Sequence, residues 1–163
     1  FSTNKKVKID RKNKMKLNLF LLLLTTLIAT VLSQIPPHVL IESAIINNLE
    51  KYWALNDTGT GVVLKTRGDP WVIVPGPYGS YILPVGHRGA VQCNGVGGQL
   101  TIGDGDGNDK IWHIIGPLGL DTPVALQSDL KSPVRFAAAS SDLKVIAGED
   151  GILQWIIIKP LHE

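Results

Sequence analysis

Three aspartates and an asparagine crowd into GDGDGND, residues 103–109, and carboxylates at that density suggest cation binding or acid chemistry. A calcium loop of the EF-hand type needs oxygen ligands at its first, third and fifth positions. It also needs a glycine at the sixth and a glutamate at the twelfth. Asp104, Asp106 and Asn108 meet the first three requirements, but the sixth position is Asp109 and the twelfth Ile115. Strand-like runs, not helices, stand on both sides. The stretch is therefore expected to be an exposed turn: Gly105 and Gly107 tolerate positive φ, and the Asp and Asn side chains bond their own backbone. No metal or cofactor is called for.

Other chemistry-bearing residues are scattered. His38, His87, His113 and His162 form no cluster in the sequence, and His113, beside Trp112 in a strand-like run, is expected to be structural. No G-x-S-x-G, H-E-x-x-H or phosphate-binding loop occurs, so a non-enzymatic protein is expected. The single cysteine, Cys93, has no partner for an internal disulfide and is expected as a small apolar strand residue. Asn56-Asp57-Thr58 is an N-glycosylation sequon. Arg67–Asp69 spells the RGD tripeptide that adhesion receptors read, and turn chemistry before Pro70 explains it equally well.

The N-terminal region explains the chain's positive charge. After Met15 and the basic Lys16, residues 19–32 carry no charge, and Val31 and Ser33 suit a cleavage site. This is the pattern of a secretory signal peptide, expected over residues 15–33, and it is short for a membrane span. Residues 1–14 are expected to be untranslated or vector-derived. Residues 1–33 hold seven of the 16 basic residues and one of the 14 acidic ones; without them nine basic and 13 acidic residues remain, a net charge of −4 in place of +2. The expected mature chain, 34–163, is a secreted monomer with no membrane span. It lacks the clustered Lys and Arg that nucleic acid requires, and about 130 residues suffice for a core without disulfides.

Twelve short apolar runs, rich in Val, Ile, Tyr and Trp, alternate with Gly, Pro, Asp and Asn clusters over this region. Such runs predict strands. Three of them open on a tryptophan: PWVIVPG at Trp71, IWHIIGP at Trp112 and QWIIIKP at Trp155, 41 and 43 residues apart. Leu100 and Leu143 each stand twelve residues before their tryptophan, so the last two units are in register. GDGDGND then occupies the same place as TRGDP and AGEDGIL, expected as polar hairpin turns leading to core tryptophans. Three units of about 40 residues, each of four strands, predict an all-β fold, a β-trefoil, with Trp71, Trp112 and Trp155 in its core.

PWVIVPGPYGSYIL, followed by RGA and IWHI, resembles the W-x-I, G-x-Y-x-L, G-A, W-x-I order of fungal cospin-type serine-protease inhibitors. The likeness covers residues 62–115, and the C-terminal QWIIIKP more weakly. It implies a secreted inhibitor whose partner is an extracellular protease met by a rigid loop. In that family the inhibitory loop lies between the second and third strands, here NDTGTG, with Asn56 and Asp57. A trypsin-like target would instead take a basic loop residue: Lys131, whose loop Pro133 stiffens, Arg67 or Arg88. A glycan at Asn56 would obstruct the first of these loops. The alternative is a carbohydrate-binding domain distantly resembling ricin-B-type lectins, with a glycan as partner. The Gln two residues before each tryptophan in that group is here Asp69, Lys110 and Leu153.

Overall fold

A computed structural model of the chain describes residues 16–25, 38–45, 49–117, 122–130, 134–152 and 154–159. The chain divides into a first unit, Phe1–Pro36, and a second, Pro37–Glu163. In the first, residues 16–25 are helical; residues 1–15 and 26–36, which include nine of the 19 residues of the expected signal peptide, lie outside the described residues. Among the described residues no helix is long and apolar enough to cross a membrane.

The second unit is built of strands, as the all-β expectation requires. They are β1 (His38–Ser43), β2 (Tyr52–Leu55), β3 (Val62–Lys65), β4 (Trp71–Gly76), β5 (Gly79–Pro84) and β6 (Ala90–Gln92). The series continues with β7 (Thr101–Gly103), β8 (Trp112–Ile115), β9 (Pro123–Ser128), β10 (Phe136–Ala139), β11 (Val145–Gly148) and β12 (Trp155–Ile158). Each of the twelve apolar runs falls on one strand. Their alternation of buried and exposed residues, clearest in β1 and β11, is what a strand with one face on a core demands.

Ten strands join one large antiparallel sheet, and β6–β7 stand as a separate pair. Within the sheet, β1 pairs β4, β4 pairs β5, β5 pairs β8, β8 pairs β9, β9 pairs β12, and β12 returns to β1. Six strands thus close into a ring, which leaves each of them a neighbour on both sides. The remaining six form three hairpins: β2–β3, β6–β7 and β10–β11. The hairpins meet through bridges joining Gly61 to Thr101, Gln99 to Ile146 and Lys144 to Val63, over the fully buried Val62, Leu100 and Val145.

One register recurs in all three units. Trp71 stands opposite Val39, Trp112 opposite Ser80, and Trp155 opposite Val124. All three indoles are fully buried. Each donates its N–H to a backbone carbonyl of the neighbouring hairpin: Trp53 at 3.2 Å, Val91 at 2.9 Å and Ala137 at 2.8 Å. Burial of each contributes about 2–3 kcal/mol. Trp53 therefore occupies the place that Val91 and Ala137 hold elsewhere. Its ring meets Trp71 and Trp155 edge-on, at centroid distances of 5.8 and 5.3 Å, while its own N–H finds no partner among the described residues. Cys93 is buried in the core, the apolar role its setting suggested.

The acidic stretch lies where the repeat register puts it, between the third and fourth strands of the middle unit, but it is not a hairpin turn. β7 pairs with β6, and β8 pairs with its ring neighbours. Residues 104–111 instead carry the chain from a hairpin to the ring. Gly105 takes φ +77° as expected, whereas Gly107 is extended and leads into a 3₁₀ turn at Asn108–Lys110.

Candidate functional site

The β4–β5 hairpin is paired over six residues, from Trp71 opposite Pro84 to Gly76 opposite Gly79. Alternation along β5 sends Ile82 into the core and turns Tyr81 and Leu83 the other way. Val74 is the direct cross-strand partner of Tyr81. These three, with Ala90 and the backbones of Gly89 and Gly105, line a cleft of about 240 Å³ in which Asp106 supplies a carboxylate. Gly89 is needed there: its φ is +89°, and a β-carbon would stand 2.7 Å from the carbonyl oxygen of Gly103. The lining thus offers a small ligand an aromatic ring, apolar contact and one carboxylate, which only accepts hydrogen bonds when ionised.

A second cleft, of about 340 Å³, opens where the β2–β3 loop, the β3–β4 connection and the β5–β6 turn converge. Asn56 organises its loop. Its Oδ1 accepts hydrogen bonds from the Thr58 hydroxyl at 2.9 Å and from the backbone N–H groups of Thr60 and Gly61 at 3.0 and 3.1 Å. Asp69 is held by the Leu55 N–H, which donates to its Oδ2 at 2.7 Å. Lys65 Nζ lies 3.3 Å from Asp57 Oδ1, an exposed pair. The imidazole of His87 closes one side, facing Gly59 across the cleft wall.

The structure thus places two of the candidate loop residues, Asn56 and Asp57, in one cleft with Asp69 and leaves the other candidates outside it. Arg67 and Arg88 are exposed on the β3–β4 connection and the β5–β6 turn. Lys131 and His162 lie outside the described residues. His113 bonds Asp129 through Nε2 at 2.8 Å, in keeping with a structural role. Asp69 spends one carboxylate oxygen on the Leu55 N–H, so turn geometry accounts for this part of the RGD sequence. Among the described residues, no group of three or more His, Cys, Asp or Glu side chains is placed to hold a metal. Sequence reasoning passed over Tyr81, though a tyrosine out of phase with the core Ile82 in a strand of alternating burial was a readable signal.

No family model and no curated protein matches the sequence. Solved structures do resemble it. Lysenin in complex with phosphocholine superposes with a TM-score of 0.64 at 14% identity, over 78% of this chain and 45% of that one. A salivary protein from Culex quinquefasciatus of the Cysteins and Tryptophan-Rich family gives 0.62 at 14% identity, over 78% and 95%. SeviL bound to asialo-GM1 saccharide gives 0.58 at 14% identity, over 77% and 99%. The chain therefore spans less than half of the lysenin chain, and at such identities the likeness concerns the fold.

These neighbours overturn the resemblance to cospin-type inhibitors, and with it the serine-protease-inhibitor function and protease partner. The residues that carried the resemblance serve the architecture: Trp71 and Trp112 fill the core, and Gly79, Tyr81 and Leu83 belong to a ring strand. Residues 56–61 form a turn tied to the Asn56 side chain rather than an extended segment that a protease cleft could bind.

Proposed function

We propose that the chain is a secreted, non-enzymatic β-trefoil domain that binds a glycan, with one sugar ring seated between Tyr81 and Asp106. The trefoil assignment rests on the ring of six strands, the three hairpins and the shared register of Trp71, Trp112 and Trp155. The observation that carries the ligand is the cleft itself, in which an outward-facing tyrosine and a carboxylate stand on one apolar wall. SeviL, a structural neighbour covered almost completely, is bound to a saccharide, which fits this chemistry.

A quaternary ammonium is the second candidate for the same place. The face of Tyr81 and the charge of Asp106 also suit a choline group, and lysenin is seen with phosphocholine. Screening the mature chain on an immobilised glycan array, with free monosaccharide and free phosphocholine as separate competitors, decides between them. Binding abolished by a monosaccharide supports the glycan; displacement by phosphocholine alone supports the headgroup. An array with no bound glycan, together with no phosphocholine binding, removes both.

A further inference from the structure

We propose that the second cleft is a separate site for a primary ammonium carried beside an anionic group, as in phosphoethanolamine or a free amino acid. Three stretches of unrelated sequence, NDTGTG, RGD and VGHRGA, meet in it. Its volume of about 340 Å³ lies within the roughly 300–1,000 Å³ usual for small-molecule sites.

Its charges are arranged for a zwitterion. Asp57 and Asp69 are acceptors, while Lys65 and His87 offer donors to an anion. Among the described residues of the lining, His87 carries the one aromatic ring. A quaternary ammonium carries no N–H and depends on aromatic faces. A primary ammonium brings three N–H donors, which the carboxylates can accept. Selection between the two therefore follows from the lining.

The walls are set before any ligand arrives. Asn56 fixes its loop through three hydrogen bonds, and the Leu55 N–H holds Asp69 through Oδ2. The Lys65–Asp57 pair is exposed and screened by water, so a ligand can replace each partner for the other. The cleft shares no lining residue with the Tyr81 cleft.

The test is an amide NMR titration of the full chain, produced without glycan, against O-phosphoethanolamine, phosphocholine and inorganic phosphate. A parallel arm uses vesicles of phosphatidylethanolamine or phosphatidylcholine. O-phosphoethanolamine is expected to shift amides of residues 55–59, 65–69 and 85–87 and to bind about tenfold more tightly than phosphocholine. Asp57→Asn with Lys65→Gln should weaken it by about tenfold, and Tyr81→Ala should leave it unchanged. Variant-sensitive binding to phosphatidylethanolamine vesicles assigns a lipid source, and binding of the free compound alone assigns a soluble one; either supports the site. Absence of shifts in these segments, equal affinity for phosphocholine, or loss on Tyr81→Ala overturns it. Because the two clefts are separate, failure here leaves the glycan proposal standing.

Discussion

In the first cleft a regular strand does the work: β5 alternates between core and surface, so the same backbone that buries Ile82 displays Tyr81. In the second cleft loops do it, and their side chains must be tied down one hydrogen bond at a time by Asn56 and Asp69. The first presents an aromatic face and one carboxylate; the second presents two carboxylates and two bases. The two proposals thus place different chemistries on one scaffold, and the one on a ring strand has its geometry fixed already by burial of the opposite face.

Separating the two clefts by substitution tests that contrast. Tyr81→Ala should have the largest effect, weakening glycan binding by more than about tenfold, or about 1.4 kcal/mol, with the melting temperature little changed. Titration calorimetry reads the first and a thermal melt the second. Asn56→Ala acts on the other side. It removes the acceptor of three hydrogen bonds and should lower stability by about 1–2 kcal/mol in urea titration. Glycan affinity should stay intact; a parallel loss would mean that the clefts are coupled.

The threefold comparison is the part of the fold that was readable in advance. Each of the twelve apolar runs became a strand, because Val-, Ile- and Trp-rich segments bounded by turn formers have few other ways to bury themselves. Trp71, Trp112 and Trp155 were recognisable as core from their spacing alone. What stayed hidden was which loops meet. Asn56, Asp69 and His87 are separated by 13 and 18 residues in sequence, and the pairing of β4 with β5, which sets Trp71 opposite Pro84, is what brings the β3–β4 connection beside the β5–β6 turn. The pairing of β7 with β6 was misjudged for the same reason: local turn composition marks where a strand ends and carries no information about its partner. The inhibitor resemblance failed because it rested on residues the architecture itself requires.

Smaller effects sharpen the picture. Asp106→Asn keeps the size of the side chain and removes its charge, and should weaken glycan binding by about fivefold, near 1 kcal/mol; an unchanged affinity would place the sugar elsewhere. Asp142, which lines neither cleft, is the control. Hydrogen bonds from Lys144 and Ser140 hold its carboxyl down at about 2. A carboxylate so depressed contributes stability that is present above its ordinary range, near pH 4, and is lost as the pH falls through about 2. Asp142→Asn should therefore flatten the acid side of the stability profile slightly and leave both ligand affinities untouched. An equally steep acid limb in the variant would argue against that turn's contribution.

The most direct measurement is calorimetric titration of residues 34–163 and their Tyr81→Ala variant with an oligosaccharide selected on the array. Saturable binding by the parent chain that is lost in the folded variant is the expected result. Equal binding by both proteins, or no binding of any array glycan by the parent chain, contradicts a sugar site at Tyr81 and Asp106.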